Sequence, residues 1–166
     1  LPVNKGKAAG FHIPGRFDKV LEIQTCYLQP EPSNAIRNHI REYALRENLE
    51  FFDLVNQRGF LRNLTIRNNQ KGEFMVIISF FRDDKSLIIP LLENLKHSFP
   101  EIVSLFYVIN TKANDTVTDL EHILFFGNDH LTEEMDGMKF RIGPKSFYQT
   151  NPRQAQKLYQ VTRDFA

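Results

Sequence analysis

The chain has 166 residues, enough for one domain with a sizeable core, and its 42% apolar and 25% charged residues are globular values. A net charge of +1 excludes nucleic-acid binding through overall basicity, and a single Cys excludes a disulfide framework and fits a reducing compartment. No apolar run approaches the ~20 residues that cross a bilayer and we find no signal peptide, so we expect a cytoplasmic protein with no membrane partner.

The N-terminal part predicts a loose segment followed by a short hairpin. Residues 1–9 carry no pattern, and residues 10–13 are typical of a short strand. Pro14-Gly15-Arg16 breaks this strand, and residues 20–24 alternate again.

The middle of the chain predicts two helices and a mixed sheet. Apolar spacing indicates helices near residues 32–48 and 86–98. Strands over 61–67 and 74–81 flank a hairpin loop, and the second is apolar on both faces, which is typical of a central strand. With a further strand at 105–110, this order predicts an α+β domain with a mixed, largely antiparallel sheet and about three helices in all.

The last third predicts a β-meander with strands over 123–126, 130–135 and 138–142. Asp136-Gly137 between alternating segments is a strong hairpin signal.

A short connector then joins the last strand to the last helix. Gly143-Pro144 stops the strand, and Asn151-Pro152 begins a helix near 152–165 with Asn151 as its N-cap. The connector carries two aromatics and an amide, namely Phe147, Tyr148 and Gln149. Four cations flank them, namely Lys139, Arg141, Lys145 and Arg153. Such a set suits a nucleotide, because aromatic faces stack on the base and an amide reads its edge. The cations suit the phosphate. On residue types alone, a junction whose aromatics fill the core is the simpler interpretation.

The order of the connector residues resembles the RNA (uracil-C5)-methyltransferases, which make 5-methyluridine in rRNA and tRNA. The pattern F-x-I-G-P-x-S-F-x-Q-T-N runs from Phe140 to Asn151, and a helix of the form Q-A-x-x-L-Y follows. Besides the loose segment at 1–9, we expect a central α+β domain at 10–145, and the resemblance implies that residues 146–166 are the connector and the first helix toward a catalytic methyltransferase domain. Because the chain starts at Leu1 and stops inside a periodic helix, we expect a piece of a longer protein.

The resemblance also implies S-adenosyl-L-methionine as methyl donor and a Cys nucleophile, both in the C-terminal catalytic domain. This sequence has eight scattered Gly with no Gly-rich turn, and no Cys besides Cys26. We therefore expect the isolated fragment to be inactive and to hold no cofactor.

Cys26 has several interpretations. A lone Cys is most often a small buried apolar residue, and one Cys with a distant His and Asn is only a generic catalytic pattern. Many members of the family carry a 4Fe-4S cluster, whose fourth Cys stands in a context like Val20-x-x-Ile23-x-x-Cys26-x-Leu28-x-Pro30. The resemblance thus makes Cys26 a possible fourth ligand, with the other three upstream of Leu1.

The candidate site residues fall into two groups. Phe147 matches the family position near the extruded base, and Gln149 matches the one that contacts the cofactor and substrate region. Four basic residues lie close together around Phe60, namely Arg58, Arg62, Arg67 and Lys71. They are either a phosphate-contacting patch or the solvated edge of a strand. The resemblance of Leu61–Arg67 to a family segment favours RNA, so the predicted RNA contacts are Arg58, Arg62, Arg67 and Lys145. The five His show no metal-ligand spacing and are interpreted as surface or satisfied residues.

The sequence therefore predicts the central, RNA-contacting domain of an S-adenosylmethionine-dependent RNA uracil-C5 methyltransferase that acts on rRNA or tRNA, as a monomer. A non-catalytic α+β RNA-binding or adaptor module is the alternative. A Gly-rich strand–turn and a catalytic Cys after Ala166 would support the first interpretation, and a stop codon there would support the second.

Overall fold

The computed structural model describes residues 8–165 as eight strands and three helices. The strands are β1 (Gly10–Ile13), β2 (Arg16–Glu22), β3 (Leu61–Asn68), β4 (Phe74–Phe80), β5 (Ile102–Ile109), β6 (Ile123–Gly127), β7 (Leu131–Met135) and β8 (Met138–Ile142). The helices are α1 (Ser33–Arg46), α2 (Lys85–Ser98) and α3 (Pro152–Asp164). The predicted α+β class is confirmed, with each helix within two residues of its predicted limits. Residues 1–7 of the predicted loose segment lie outside the described part.

The central sheet has four strands in the order β3-β4-β5-β6. β4 pairs antiparallel with β3 and parallel with β5, because the α2 crossover returns the chain to the same end of the sheet. β6 adds antiparallel to β5. β1–β2 and β7–β8 form separate two-stranded hairpins.

The predicted meander is divided between two layers. β6 extends the central sheet, whereas β7 and β8 pair only with each other among the described strands. The division falls at Gly127, whose φ is 79° and whose missing side chain lets it approach the Val103 carbonyl; an added Cβ would lie 2.1 Å from that oxygen. The chain turns out of the sheet there, so β7 begins in the next layer.

Side chains of β4 alternate between two cores, one on each face of the sheet. Val76 and Ile78 join a core with α1 and α2, while Met75 and Ile77 face the other way. The second core contains Leu131 and Ile142 of the β7–β8 hairpin, and Tyr148 packs against it. β4 is buried along its whole length, which confirms its predicted central position. Burial of each such side chain contributes ~1.5–3 kcal/mol relative to exposure.

Two predicted helix boundaries are realised by specific backbone contacts. Asn48, at φ 55°, ends α1, and the N–H of Leu49 reaches back to the carbonyl of Ala44 at 2.8 Å. At α3, Asn151 Oδ1 accepts from the backbone N–H of Gln154 at 3.1 Å, as the capping prediction requires.

Within residues 8–165, no helix combines the length and apolar character needed to cross a membrane.

Candidate nucleic-acid interface

The connector, residues 143–151, begins with a tight turn. The backbone N–H of Gly143 donates to Ser146 Oγ at 3.0 Å, and the N–H of Ser146 donates to the Gly143 carbonyl at 3.1 Å. Pro144 fixes its own φ near the value that the second residue of such a turn requires. The closed turn exposes Lys145 to solvent.

Arg67 of β3 holds this turn against the sheet. Its Nη1 donates to the carbonyl oxygens of Ser146 at 2.6 Å and Gly143 at 3.4 Å. The guanidinium is half-buried, and burial lowers its pKa from the ordinary value. Among the described residues, no carboxylate forms an ion pair with Arg67. Part of its charge is therefore uncompensated beside the connector.

The three central side chains of the connector have different surroundings. Tyr148 packs against the second core, with its ring 6.1 Å from that of Phe140. Burial first, and then the negative charge of Glu133, raise the pKa of its phenol. Phe147 is 85% exposed, and Gln149 is also exposed, with no hydrogen bond to its amide in the described structure. Tyr148 thus anchors the connector, and its two neighbours remain available to a ligand.

Glu133 of β7 supports the layer on which the connector lies. Its buried carboxylate accepts from the backbone N–H of Gln70 at 3.2 Å, and Asn69 Nδ2 donates to the Thr132 carbonyl at 2.9 Å. These contacts fasten the β7–β8 hairpin to the turn between β3 and β4. Sequence reasoning did not identify this role, since alternation gives no partner for a buried charge.

Arg62 lies in a different environment from Arg67. Its Nη1 donates to the carbonyls of Asn110 at 2.7 Å and Lys112 at 2.6 Å, and Nη2 lies 2.9 Å from Asp115 Oδ1. The side chain is 0% exposed, with the guanidinium carbon 4.1 Å from the ring centroid of Phe52. With no exposed surface on its side chain, this guanidinium is closed to a phosphate in this structure. It holds the loop that follows β5.

The structure separates the basic residues that the sequence groups together. Five residues of β3, at about 3.4 Å each, put Arg62 roughly 17 Å from Arg67 along the strand. Arg58 lies in the exposed turn before β3, where its backbone pairs with Asp53. Arg67 and Lys145 are brought to the same end of the sheet, whereas Arg58 is near neither.

His122 lies where the charges of Lys145 and Arg67 influence it, which sequence reasoning did not foresee. It is half-buried at the start of β6, with Nδ1 3.2 Å from the Leu120 carbonyl oxygen. Burial lowers the pKa of its imidazole, and the nearby positive charges of Lys145 and Arg67 lower it further. No spacing signal could link positions so far apart in the chain.

Cys26 is half-buried in the segment before α1, which Asn34 and Arg37 hold in place. Its backbone N–H donates to Asn34 Oδ1 at 2.7 Å, and its carbonyl accepts from Asn34 Nδ2 at 3.2 Å. Arg37 Nη2 donates to the carbonyl of Gln24 at 2.8 Å. In the part of the chain that the structure describes, no three His, Cys, Asp or Glu side chains come together to bind a metal.

Comparison with known proteins gives relatives along almost the whole chain. A protein of Porphyromonas gingivalis, named an uncharacterized RNA methyltransferase, is 54% identical over 159 residues, which are 95% of this chain and 34% of that protein. One of Bacteroides thetaiotaomicron with the same name is 52% identical over 162 residues, or 96% of this chain and 36% of that protein. The chain therefore spans about a third of the length of these curated relatives. No family model matches the sequence.

A solved structure has the same fold. It is the Pyrococcus abyssi tRNA (uracil-54, C5)-methyltransferase in complex with S-adenosyl-L-homocysteine, with a TM-score of 0.73 and 22% identity over 93% of this chain and 37% of that one. The relatives confirm the resemblance to RNA methyltransferases that the connector indicates, and the solved structure confirms the fold. Two open grooves among residues 8–165, at the β1–β2 turn and beside the end of α1, include no connector residue.

Proposed function

We propose that this chain, which belongs to the RNA methyltransferases by its sequence, is the central, RNA-contacting domain of an S-adenosylmethionine-dependent RNA uracil-C5 methyltransferase. The substrate is rRNA or tRNA, the protein is cytoplasmic, and it acts as a monomer. The observation that carries the proposal is the connector: Tyr148 is anchored in the core, while Phe147 and Gln149, which match the family motif, project outward. Residues 10–145 are the domain, and residues 146–166 lead toward the catalytic part.

Phe147 and Gln149 contact the reacting groups from the edge of the active site. An exposed aromatic ring stacks on an unpaired base, and such stacking contributes ~1–3 kcal/mol. A neutral amide donates and accepts at once, which suits a uracil edge or a cofactor. S-adenosylmethionine supplies the methyl group in this reaction. The described residues do not enclose a site for it, so these two side chains fit only its rim.

The remainder of the longer protein packs on α3. One side of this helix is tied to the β7–β8 turn, because Gln156 Nε2 donates to Asp136 Oδ1 at 2.6 Å and Arg163 lies 3.4 Å from the same carboxylate. Of the α3 residues, only Ala155 is buried. Four large apolar side chains near its C-terminal end are exposed, namely Leu158, Tyr159, Val161 and Phe165. An exposed apolar stripe of this kind supports a covering domain.

The exposed basic residues Arg58 and Lys145, together with the half-buried Arg67, contact the RNA backbone. Phosphate contacts of this kind position the nucleic acid, and base contacts at the connector provide the recognition.

Cys26 is the fourth ligand of a 4Fe-4S cluster if the full-length protein supplies three further thiolates, since a cluster takes four. Iron and sulfide analysis of the anaerobically purified full-length protein checks this assignment.

Nucleoside analysis tests the proposed function. The full-length protein is incubated with labelled S-adenosylmethionine and with rRNA or tRNA, and the digested RNA is examined by mass spectrometry. We expect label in 5-methyluridine, and none from the 166-residue chain alone. Label in another nucleoside would contradict the uracil-C5 assignment. RNA binding by the full-length protein without any methylation would favour an adaptor module instead.

A further inference from the structure

The segment between β2 and α1 holds two large apolar side chains in solvent. Tyr27 is 94% exposed and Leu28 is 93% exposed, and the two residues form the tip of a turn. Turn tips usually carry Gly, Pro, Asn, Asp or Ser, because these residues favour the turn itself. In the part of the chain that the structure describes, the Tyr27 side chain makes no hydrogen bond or ring contact. Local turn chemistry therefore does not account for a Tyr–Leu tip.

The chain on both sides of this turn is fixed in place. The side-chain amide of Asn34 brackets Cys26, because its Oδ1 accepts from the Cys26 N–H at 2.7 Å and its Nδ2 donates to the Cys26 carbonyl at 3.2 Å. On the other side of the tip, Gln29 Nε2 donates to the carbonyl of Ile66 at 3.3 Å. The Tyr27 ring is thus presented on a held turn, so a ligand would bind it at little cost in backbone entropy.

Gln29 attaches the turn to the same part of β3 that holds the connector. It binds the carbonyl of Ile66, and the next residue, Arg67, binds the carbonyl that directly precedes Phe147. The two attachments are therefore on neighbouring residues of an edge strand, whose Cα atoms are ~3.8 Å apart. Tyr27 lies two residues from one attachment, and Phe147 lies one residue from the other. Two highly exposed rings are thus held at one end of β3.

The base of the turn combines two opposite charges. Asn34 Nδ2 donates to the carboxylate of Glu31 at 2.7 Å, and Arg37 Nη1 donates to Asn34 Oδ1 at 3.0 Å. Because the carboxylate and the guanidinium meet at one amide, their charges offset each other. These two groups therefore present no net negative charge to an RNA strand at the turn.

We propose that Tyr27 is a second stacking platform for single-stranded RNA, and that the strand which passes Phe147 continues to this turn. The inference rests on the proposed function, because that function supplies the RNA and the base at Phe147. Every base has a π face that stacks on a Tyr ring, so Tyr27 contributes affinity rather than sequence recognition. Two separate platforms hold the strand at two points, which positions the nucleotide at the connector.

RNA binding by the full-length protein tests this assignment. The probe is a single-stranded oligouridylate long enough to reach from the connector to the turn, and its affinity is measured at several salt concentrations. Tyr27→Ala should weaken binding by about fivefold to 150-fold, which corresponds to the loss of one stacked base. The slope of log affinity against log salt should not change, because a stacked base releases no counterions. Tyr27→Phe should retain most of the affinity.

Leu28→Ala is the matched control, because Leu28 is equally exposed in the same turn and has no aromatic ring. A base stacks on Tyr27 alone, whereas another part of the longer protein would cover both side chains. Leu28→Ala should therefore leave the RNA affinity unchanged. Neither alanine variant should lower the melting temperature of the full-length protein in the absence of RNA.

Wild-type affinity in the Tyr27→Ala protein would overturn the inference, and so would equal losses of affinity in Tyr27→Ala and Leu28→Ala. A lower melting temperature in both variants, with RNA affinity unchanged, would instead assign the turn to a contact within the longer protein. A failure of the proposed function is distinguishable from these outcomes. In that case the full-length protein makes no 5-methyluridine, although Tyr27→Ala still weakens oligouridylate binding.

Discussion

The Nη1 atom of Arg67 lies 2.6 Å from the carbonyl oxygen of Ser146, a residue 79 positions later in the chain. This bond ties the edge strand of the central sheet to the residue immediately before Phe147. On the other side of Phe147, the phenol ring of Tyr148 packs against the second core. The outward position of the exposed aromatic is therefore fixed from both sides.

Replacement of Arg67 with Met should loosen the connector. The change removes a charged hydrogen bond to the carbonyl of Ser146, for which we expect a loss of about 1.5–3 kcal/mol in the free energy of unfolding. Hydrogen exchange should accelerate at residues 146–149 more than in β4. The control is Arg58→Met, at an exposed Arg in a turn, which should change stability by no more than about 0.5 kcal/mol. Equal exchange in both variants would show that Arg67 does not hold the connector.

Replacement of Arg62 with Met should reduce stability and leave RNA binding by the folded protein unchanged. The enclosed guanidinium satisfies carbonyls in the loop after β5, and buried acceptors left without a donor cost about 1–3 kcal/mol each. Urea denaturation measures the stability, and RNA affinity at several salt concentrations measures the binding. A salt slope that decreases by about 0.7–0.9 would instead identify Arg62 as a phosphate contact.

Acidification should destabilise the chain through His122. The pKa of the folded imidazole lies below the unfolded value of about 6.5, so the unfolded state binds the proton first as pH falls. Stability is then lost from about pH 6.5 downward, until the folded imidazole also titrates. Thermal melts in phosphate-free buffer should show a smaller decline for His122→Gln than for the wild-type chain. Parallel declines would mean that His122 titrates alike in both states.

The sequence was sufficient to predict elements whose signals are local. The N-cap at Asn151 and the helix end at Asn48 depend on neighbouring residues only, and the apolar run of β4 indicates a central strand by itself. The division of the meander was not predictable in the same way, because Gly127 leaves the sheet through a close approach to the backbone of Val103. Asp136-Gly137, in contrast, turns between β7 and β8 as its sequence indicates.

The candidate site was predicted in part, for similar reasons. The family motif drew attention to Phe147 and Gln149, and residue types gave no reason to separate Tyr148 from them. Its anchoring follows from the long-range packing of the connector on the second core. Arg62 and Arg67 look equivalent in the sequence, yet each is committed to a different distant loop. His122 reaches its basic neighbours only through the tertiary fold.

The Asn151 side chain should matter for the helix and little for the chemistry. Asn151→Ala removes the cap on the Gln154 N–H and should cost about 1 kcal/mol of helix stability. Because α3 buries little of its surface here, we expect local fraying of its first turn. Hydrogen exchange at the start of α3 measures this. An unchanged exchange rate would mean that the cap contributes nothing.

Single-turnover methylation by the full-length protein carrying Gln149→Ala tests the central claim most directly. The amide of Gln149 is exposed on an anchored connector, and Asn151 rather than Gln149 caps the helix, so the substitution should leave the melting temperature unchanged. Loss of a neutral hydrogen bond, worth about 0.5–1.5 kcal/mol, should lower the methylation rate by a factor between a few and about ten. The loss should be larger if a charged group is involved. Asn151→Ala is the matched variant, with lower stability and a smaller effect on the rate. A Gln149→Ala protein that melts early but methylates at the normal rate when folded would contradict the account.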